Sequence, residues 1–202
     1  MRTIRTKVYQ FSELKTKEAK EKAIEVMRNI NVDYDWWEYV YEDLKRLAAY
    51  FGLDVDTKKT YFSGFSHQGQ GSSFTADIDI KKMLDCVKNE TWKEYAPKEK
   101  LSFQSVTKEM YRVVDLISAY VEPTNREISI KVICNTEAGE AYPNIYAALE
   151  SLEELITDVC ETINHWFFKT LEAEYDYQTT DEAIIETIEA NEYEFKADGT
   201  RF

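Results

Sequence analysis

The chain has 202 residues, 44% of them hydrophobic and only three of them proline, which is enough for a substantial packed core and too apolar for a disordered segment. No apolar run approaches the roughly 20 residues that span a bilayer, and Met1–Arg5 leads into a strand pattern instead of the apolar core of a signal peptide, so a cytoplasmic protein with no membrane partner is expected. Net charge is −13 but uneven, with 18 basic and 17 acidic side chains in residues 1–100 against 7 and 21 in residues 101–202; fifteen carboxylates between Glu140 and Glu194 stand against a single Lys169, which argues against direct nucleic-acid binding there.

Ile4–Phe11 alternates and reads as a first strand. Ser12 or Thr16 offers an N-cap for an amphipathic helix over Lys17–Asn29, in which Ala19, Ala23, Ile24 and Met27 recur at helical spacing. A second helix spans Asp35–Phe51 and stops at Gly52. Trp36 and Trp37 open it and, as neighbours, point about 100° apart, so both cannot occupy the centre of one buried stripe. One of them is then either a rim residue or the wall of a pocket.

Leu53–Asp56, Thr60–Phe65 and Ser72–Ile80 read as three strands, the last two joined by a glycine-bearing loop. Lys81–Glu94 and Ser105–Tyr120 read as helices, and Arg126–Asn135 as the clearest strand, alternating Ile128, Ile130, Val132 and Cys134 with Ser129, Lys131 and Ile133. Pro143 opens the longest helix, to about Tyr175, where Ile145, Leu149, Leu152, Ile156, Val159, Ile163 and Trp166 follow steps of four and three. That stripe fits a core helix laid on a sheet and also allows a homodimer. Thr179 or Thr180 caps a helix over Asp181–Glu189, and Asp198-Gly199 is a hairpin turn signal. The expected fold is one α+β domain over residues 1–202, a mainly antiparallel sheet of about five to seven strands covered by about five helices.

The three cysteines, Cys86, Cys134 and Cys160, are widely spaced and are expected as buried thiols; with His67 and His165 the only imidazoles, neither a metal site nor a cofactor is implied. The informative stretch is Thr60–Ala76, T-Y-F-S-G-F-S-H-Q-G-Q-G-S-S-F-T-A, which holds three of the six glycines and no charge. Gly64, Gly69 and Gly71 let the main chain turn and approach a guest closely, and Ser63, Ser66, Ser72 and Ser73 add hydroxyls. Gln68 and Gln70 each donate and accept, which suits the edge of a base, while Tyr61, Phe65, Phe74, Trp36 or Trp37 could stack on it and Arg126 or Lys131 could meet a phosphate. The pattern is neither a Walker A loop nor a dinucleotide fingerprint, because strand-like residues follow the glycines. A plain surface hairpin, rich in glycine and serine for turn chemistry alone, is the competing reading.

V-Y-Q-F-S-E-L near the start, Y-F-S-G-F-S-H-Q-G-Q-G-S-S-F in the middle and the closing E-A-N-E-Y-E-F-K-A-D-G-T-R-F together resemble a family of small phage and prophage proteins. The resemblance runs over nearly the full length and implies a setting, interference with a host defence system, without implying a mechanism. Similar sequences often carry an acid where Gln70 stands, so a role built on a carboxylate there fails in this chain.

Three functions follow as expectations. The first is binding and sequestering a small nucleotide-like ligand by Tyr61, Ser63, Phe65, Ser66, His67, Gln68, Gln70, Ser72, Ser73, Trp36, Trp37 and Arg126, with no catalytic residue. The second is hydrolysis of a nucleotide signal, with His67 as general base beside Ser66 or Ser72 and Asp77 or Asp79 orienting it; no nucleophile elbow or comparable signature accompanies them. The third is an acidic module or DNA mimic that blocks a host defence protein, which salt would weaken. His165, beside Trp166 and Phe167, reads as a structural histidine.

Overall fold

The computed structural model describes residues 6–65, 70–124, 127–134 and 143–202. The chain arranges as two units, one formed by Met1–Glu38 with Glu172–Phe202 and the other by Tyr39–Leu171. The class is α+β, with six α-helices and six strands in a four-stranded and a two-stranded sheet among the described residues.

In the first unit, β1 (Tyr9–Gln10) pairs antiparallel with β6 (Glu194–Phe195), and α1 (Lys17–Val26) and α6 (Asp181–Ala190) supply most of the remaining core. Both helices start on threonine caps whose hydroxyls accept a main-chain N–H, Thr16 from Ala19 at 3.1 Å and Thr180 from Ala183 at 3.2 Å. Phe11, Ala23, Ile24, Met27, Ile184 and Phe195 bury one apolar cluster, with the Phe11 and Phe195 rings edge to face at 6.5 Å. The Asp198-Gly199 turn forms as the sequence suggests, bridging Phe195 to Arg201. Gly199 has φ +83°, and a Cβ there would run into the Ala19 carbonyl, so no other residue fits without moving α1.

In the second unit, the sheet has strand order β2-β3-β4-β5, all antiparallel: β2 Leu53–Ser63, β3 Gly71–Ile78, β4 Ile117–Pro123 and β5 Ile128–Cys134. Alternation puts Leu53, Val55, Phe74, Ala76, Ala119 and Val121 on one buried face, and Asp54, Tyr61, Asp77, Tyr120 and Lys131 on the other. Helices α2 (Glu38–Tyr50) and α5 (Pro143–Gln178, of which residues to Leu171 belong here) meet the sheet through aromatic contacts. Tyr41 of α2 lies 6.5 Å from the Phe62 ring and 5.5 Å from Phe167 of α5, and its hydroxyl donates to the Thr60 carbonyl at 3.2 Å. Leu152, Leu155, Ile156, Val159, Cys160, Ile163 and Phe167 of α5 are fully buried, a stripe one residue wider per turn than the expected one. Ile145, Leu149 and Trp166, expected in that stripe, are only partly buried.

Four sequence expectations need correcting. Leu53–Asp56 and the start of Thr60–Phe65, to Ser63, belong to one strand, continuous through a bulge in which Thr57, Lys58 and Lys59 have no cross-strand pair on β3 and Thr60 returns to the face of Val55. Ser105–Tyr120 is not one helix: α4 covers only Lys108–Val113, and Ile117 opens β4, the strand between β3 and β5. Ile117 and Val121, four residues apart, fit helical and strand spacing alike over so short a stretch, and pairing on both sides decides for the strand. Lys81–Glu94 divides into α3 (Ile80–Asn89) and a 3-10 turn at Thr91–Glu94, broken by Glu90 at φ +53°. Cys86 and Cys160 are buried free thiols, but Cys134, at the end of the edge strand β5, is exposed. The described part of the first strand is confined to Tyr9–Gln10. No helix among the described residues is long and apolar enough to cross a membrane.

Candidate functional site

The hairpin of β2 and β3 closes its ladder at the Ser63↔Gly71 pair and is tied to α5 from two sides. Phe65 stacks on Phe62 at 5.8 Å and leans on Phe168 of α5 at 5.6 Å. Ser72, 1% exposed, is clamped by Asn164: its hydroxyl donates to Asn164 Oδ1 at 2.9 Å and lies 3.2 Å from the Asn164 carbonyl, while Asn164 Nδ2 donates to the Ser72 carbonyl at 3.0 Å. A helix side chain thus supplies hydrogen bonds at a place where β3 has parted from its strand neighbour.

That parting makes the site. The β3–β4 ladder is confined to the pairs Ala76↔Val121, Asp77↔Tyr120 and Ile78↔Ala119, whereas β4 and β5 stay paired as far as Pro123↔Ile128. Residues 71–75 of β3 therefore diverge from β4, and a concavity of about 550 Å3 opens there, bounded by Gln70, Gly71 and Ser72, by Glu127 and Ile128 at the start of β5, and by α5. From α5 it is lined by Glu161, Asn164, His165, Phe168 and Lys169. These stand at i, i+3, i+4, i+7 and i+8, one face of a helix. Phe168 and Ile128 form the apolar part of the wall; Gln70, Glu127, Glu161, His165 and Lys169 are exposed. Two carboxylates against one ammonium and one imidazole leave the described lining without an excess of positive charge.

Of the residues singled out from sequence, Gln70 and Ser72 line this concavity. Phe65 braces the hairpin against α5, and Ser63 closes the β2–β3 ladder. Tyr61 and Ser73 pair across the opposite face of the sheet, where Tyr61 is 54% exposed and the Ser73 hydroxyl is buried with no hydrogen-bond partner among the described residues. Ser66, His67, Gln68 and Arg126 lie outside the described residues. Trp36 and Trp37 belong to the first unit, packed on each other at 5.8 Å, with Trp36 also 5.7 Å from Tyr175. Asp79 serves as the N-cap of α3, its carboxylate accepting the Lys82 N–H at 3.0 Å, and Asp77 pairs with Asp54 and Tyr120 on the open sheet face.

Sequence reasoning missed the whole α5 contribution. His165, read as structural, is exposed and lines the concavity. A signal was present: Lys169, the lone cation between Glu140 and Glu194, follows His165 by four residues, and Glu161 precedes it by four. Among the described residues no group of three or more His, Cys, Asp or Glu is placed to hold a metal ion.

Neither a curated protein nor a solved structure matches the chain. A family model described as Domain of unknown function (DUF8835) matches residues 36–181, more than two thirds of the 202 residues and all of the elements that bound the concavity. The chain belongs to that family.

Proposed function

We propose that this protein binds and sequesters a small nucleotide-like ligand, without turnover, in the concavity between the glycine hairpin and α5. The observation that carries the reading is the convergence of Gln70 and Ser72, from the uncharged hairpin, with the His165 and Lys169 side of α5 around about 550 Å3 of accessible space. Small-molecule sites have this size, combining an apolar wall with a few directed polar groups. Gln70 can read a base edge in either sense, His165 and Lys169 can hold an anionic group, and Ile128 with the margin of Phe168 can receive a ring.

Binding without chemistry is favoured by the state of Ser72. Its hydroxyl is buried and donates to an amide oxygen, so it has neither the access nor the basic partner of an activated nucleophile. The resemblance to phage and prophage proteins supports placing such a sponge in counter-defence, in the cytoplasm of an infected host.

The test is to mix the protein with cyclic and linear nucleotides, remove what is unbound, release the remainder by heat and chromatograph it. Intact nucleotide should be recovered, and the double variant His165→Ala, Lys169→Ala should recover little while keeping its melting temperature within a few degrees. A chemically altered product would replace the sponge by an enzyme, and no retained nucleotide would end the proposal.

A further inference from the structure

We infer that Pro123 is the positioning residue that keeps the concavity open, by withholding the main-chain N–H that would zip β4 onto β3 beyond Ala76↔Val121. The inference rests on the proposed function above and deepens it, since it names the residue that sustains that site from outside it. Proline removes a donor from the ladder and is therefore confined, as a rule, to edge strands, strand starts and bulges. Pro123 instead ends β4, an inner strand that lies between β3 and β5.

Main-chain alternation shows which neighbour goes without the bond. Successive residues of a strand aim their N–H and C=O groups at opposite neighbours. The Thr124 N–H donates to the Glu127 carbonyl at 2.8 Å, so Thr124, Glu122 and Tyr120 are aimed at β5, and Pro123, Val121 and Ala119 at β3. The Asp79 N–H donates to the Gly52 carbonyl, also at 2.8 Å, so Asp77 and Thr75 are aimed at β2, and Ile78, Ala76 and Phe74 at β4. Val121 and Ala119 accordingly meet Ala76 and Ile78. Carried two residues further, the same register sets Pro123 opposite Phe74, and the Phe74 carbonyl meets no N–H from β4. The ladder stops there. At Ser72, the next residue of β3 aimed the same way, the carbonyl is taken by Asn164 Nδ2 at 3.0 Å, a helix side chain in place of a strand.

The gap reaches the site through Ile128. On its β5 side Pro123 is paired with Ile128, which lines the concavity together with Gln70, Gly71 and Ser72. A bonded pair between residue 123 and Phe74 would bring their Cα atoms to about 5.5 Å and carry Ile128 toward Ser72, into the space a guest would fill. The sheet forgoes one hydrogen bond, and the room left over is the concavity.

Pro123→Val supplies the missing N–H on a residue suited to a strand. A companion protein with the α-hydroxy acid of the same side chain at position 123 has an ester there and withholds the N–H again. In Pro123→Val the new amide should show a coupling through a hydrogen bond to the Phe74 carbonyl, and should exchange with solvent about a hundredfold or more slower than an unstructured amide. That protein should lose most of the nucleotide that wild type retains from the cyclic and linear panel, while the ester protein retains it as wild type does. An amide that exchanges freely, a Pro123→Val protein that fails to fold, or retention undiminished by the substitution overturns the inference and leaves sequestration standing. Loss of retention in the valine and ester proteins alike also overturns it, because the proline ring and not the absent N–H would then hold the site. A wild-type protein that retains no nucleotide ends the sequestration reading, and the coupling to Phe74 then still decides whether Pro123 holds the strands apart.

Discussion

Replacing Asn164 with alanine tests the clamp on which the hairpin, and with it the concavity, depends. The side-chain amide holds Ser72 through two hydrogen bonds, from Nδ2 to the main-chain carbonyl at 3.0 Å and from the hydroxyl to Oδ1 at 2.9 Å, at a residue that is 1% exposed. In the variant the hydroxyl can turn fully to the Asn164 carbonyl, already 3.2 Å away, so that bond is largely recovered. The Ser72 carbonyl has no equivalent recourse to the side chain it loses. Removing one partner of a buried polar group costs about 1–3 kcal/mol, and in a chain of this size each kcal/mol moves the melting temperature by about 2–4 °C, so a fall of about 2–12 °C is expected. Urea titration should show a lower midpoint with an unchanged slope, since the surface exposed on unfolding is the same. A cycle with Ser72→Ala should give a coupling of at least about 0.5 kcal/mol, because the two residues share one network. Nucleotide retention should fall in parallel as the hairpin loosens from α5. A midpoint and a retention both indistinguishable from wild type would show that the clamp holds nothing, and the reasoning would fail.

Gly52 sits at φ +74°, and a Cβ there would lie 2.5 Å from the Asp79 carbonyl oxygen, so Gly52→Ala should cost about 2 kcal/mol or more, whereas Gly64→Ala, with open space around its Cβ, should cost well under 1 kcal/mol; urea midpoints compare the two. Ser73→Ala deletes a buried hydroxyl that has no partner among the described residues and should leave stability unchanged or raise it by up to about 1 kcal/mol, where a loss above that would reveal an unseen partner. The Tyr41 phenol is pushed up from 10.0 to about 12, first by burial and then by the neighbouring Tyr61. A raised folded pKa favours the protonated fold, so this contribution is complete below pH 10 and is lost as pH climbs toward 12; Tyr41→Phe should flatten that alkaline decline, and an unchanged decline would contradict it. With a thiol-specific disulfide reagent, Cys134 should react at once, while Cys86 and Cys160, buried and in the second case pushed up to about 12, should wait for unfolding.

Much of the architecture could be read from local pattern because the decisive signals are local. Thr16 and Thr180 announce their helices by side-chain caps that form as expected, and the Ile128–Cys134 alternation needs only one neighbouring strand to become β5. What escaped reading was set by partners distant in the chain. Ile117–Pro123 is a strand because Ala76–Ile78 and Ile128–Cys134 flank it, and nothing within its own residues separates that outcome from one more turn of helix. The bulge at Thr57–Lys59 looks in sequence like a break between two strands, although β3 carries the pairing past it.

The candidate site was legible by half. Its hairpin side was visible as a charge-free, glycine-punctuated stretch, of which Gln70 and Ser72 line the concavity. The α5 side was hidden because Glu161, His165 and Lys169, taken singly, are ordinary members of a solvated helix face. They come to line a concavity only because β3 diverges from β4 opposite them, and that divergence depends on a pairing between strands some forty residues apart.

Following the amide resonances of isotope-labelled protein while adding the nucleotide it retains most strongly locates the bound molecule residue by residue. Saturable shifts should concentrate on Gly71, Ser72, Asn164, His165 and Lys169, and should vanish in the His165→Ala, Lys169→Ala protein. Saturation that leaves those five amides unmoved, with the shifts gathered elsewhere, would place the ligand at another surface and contradict the account.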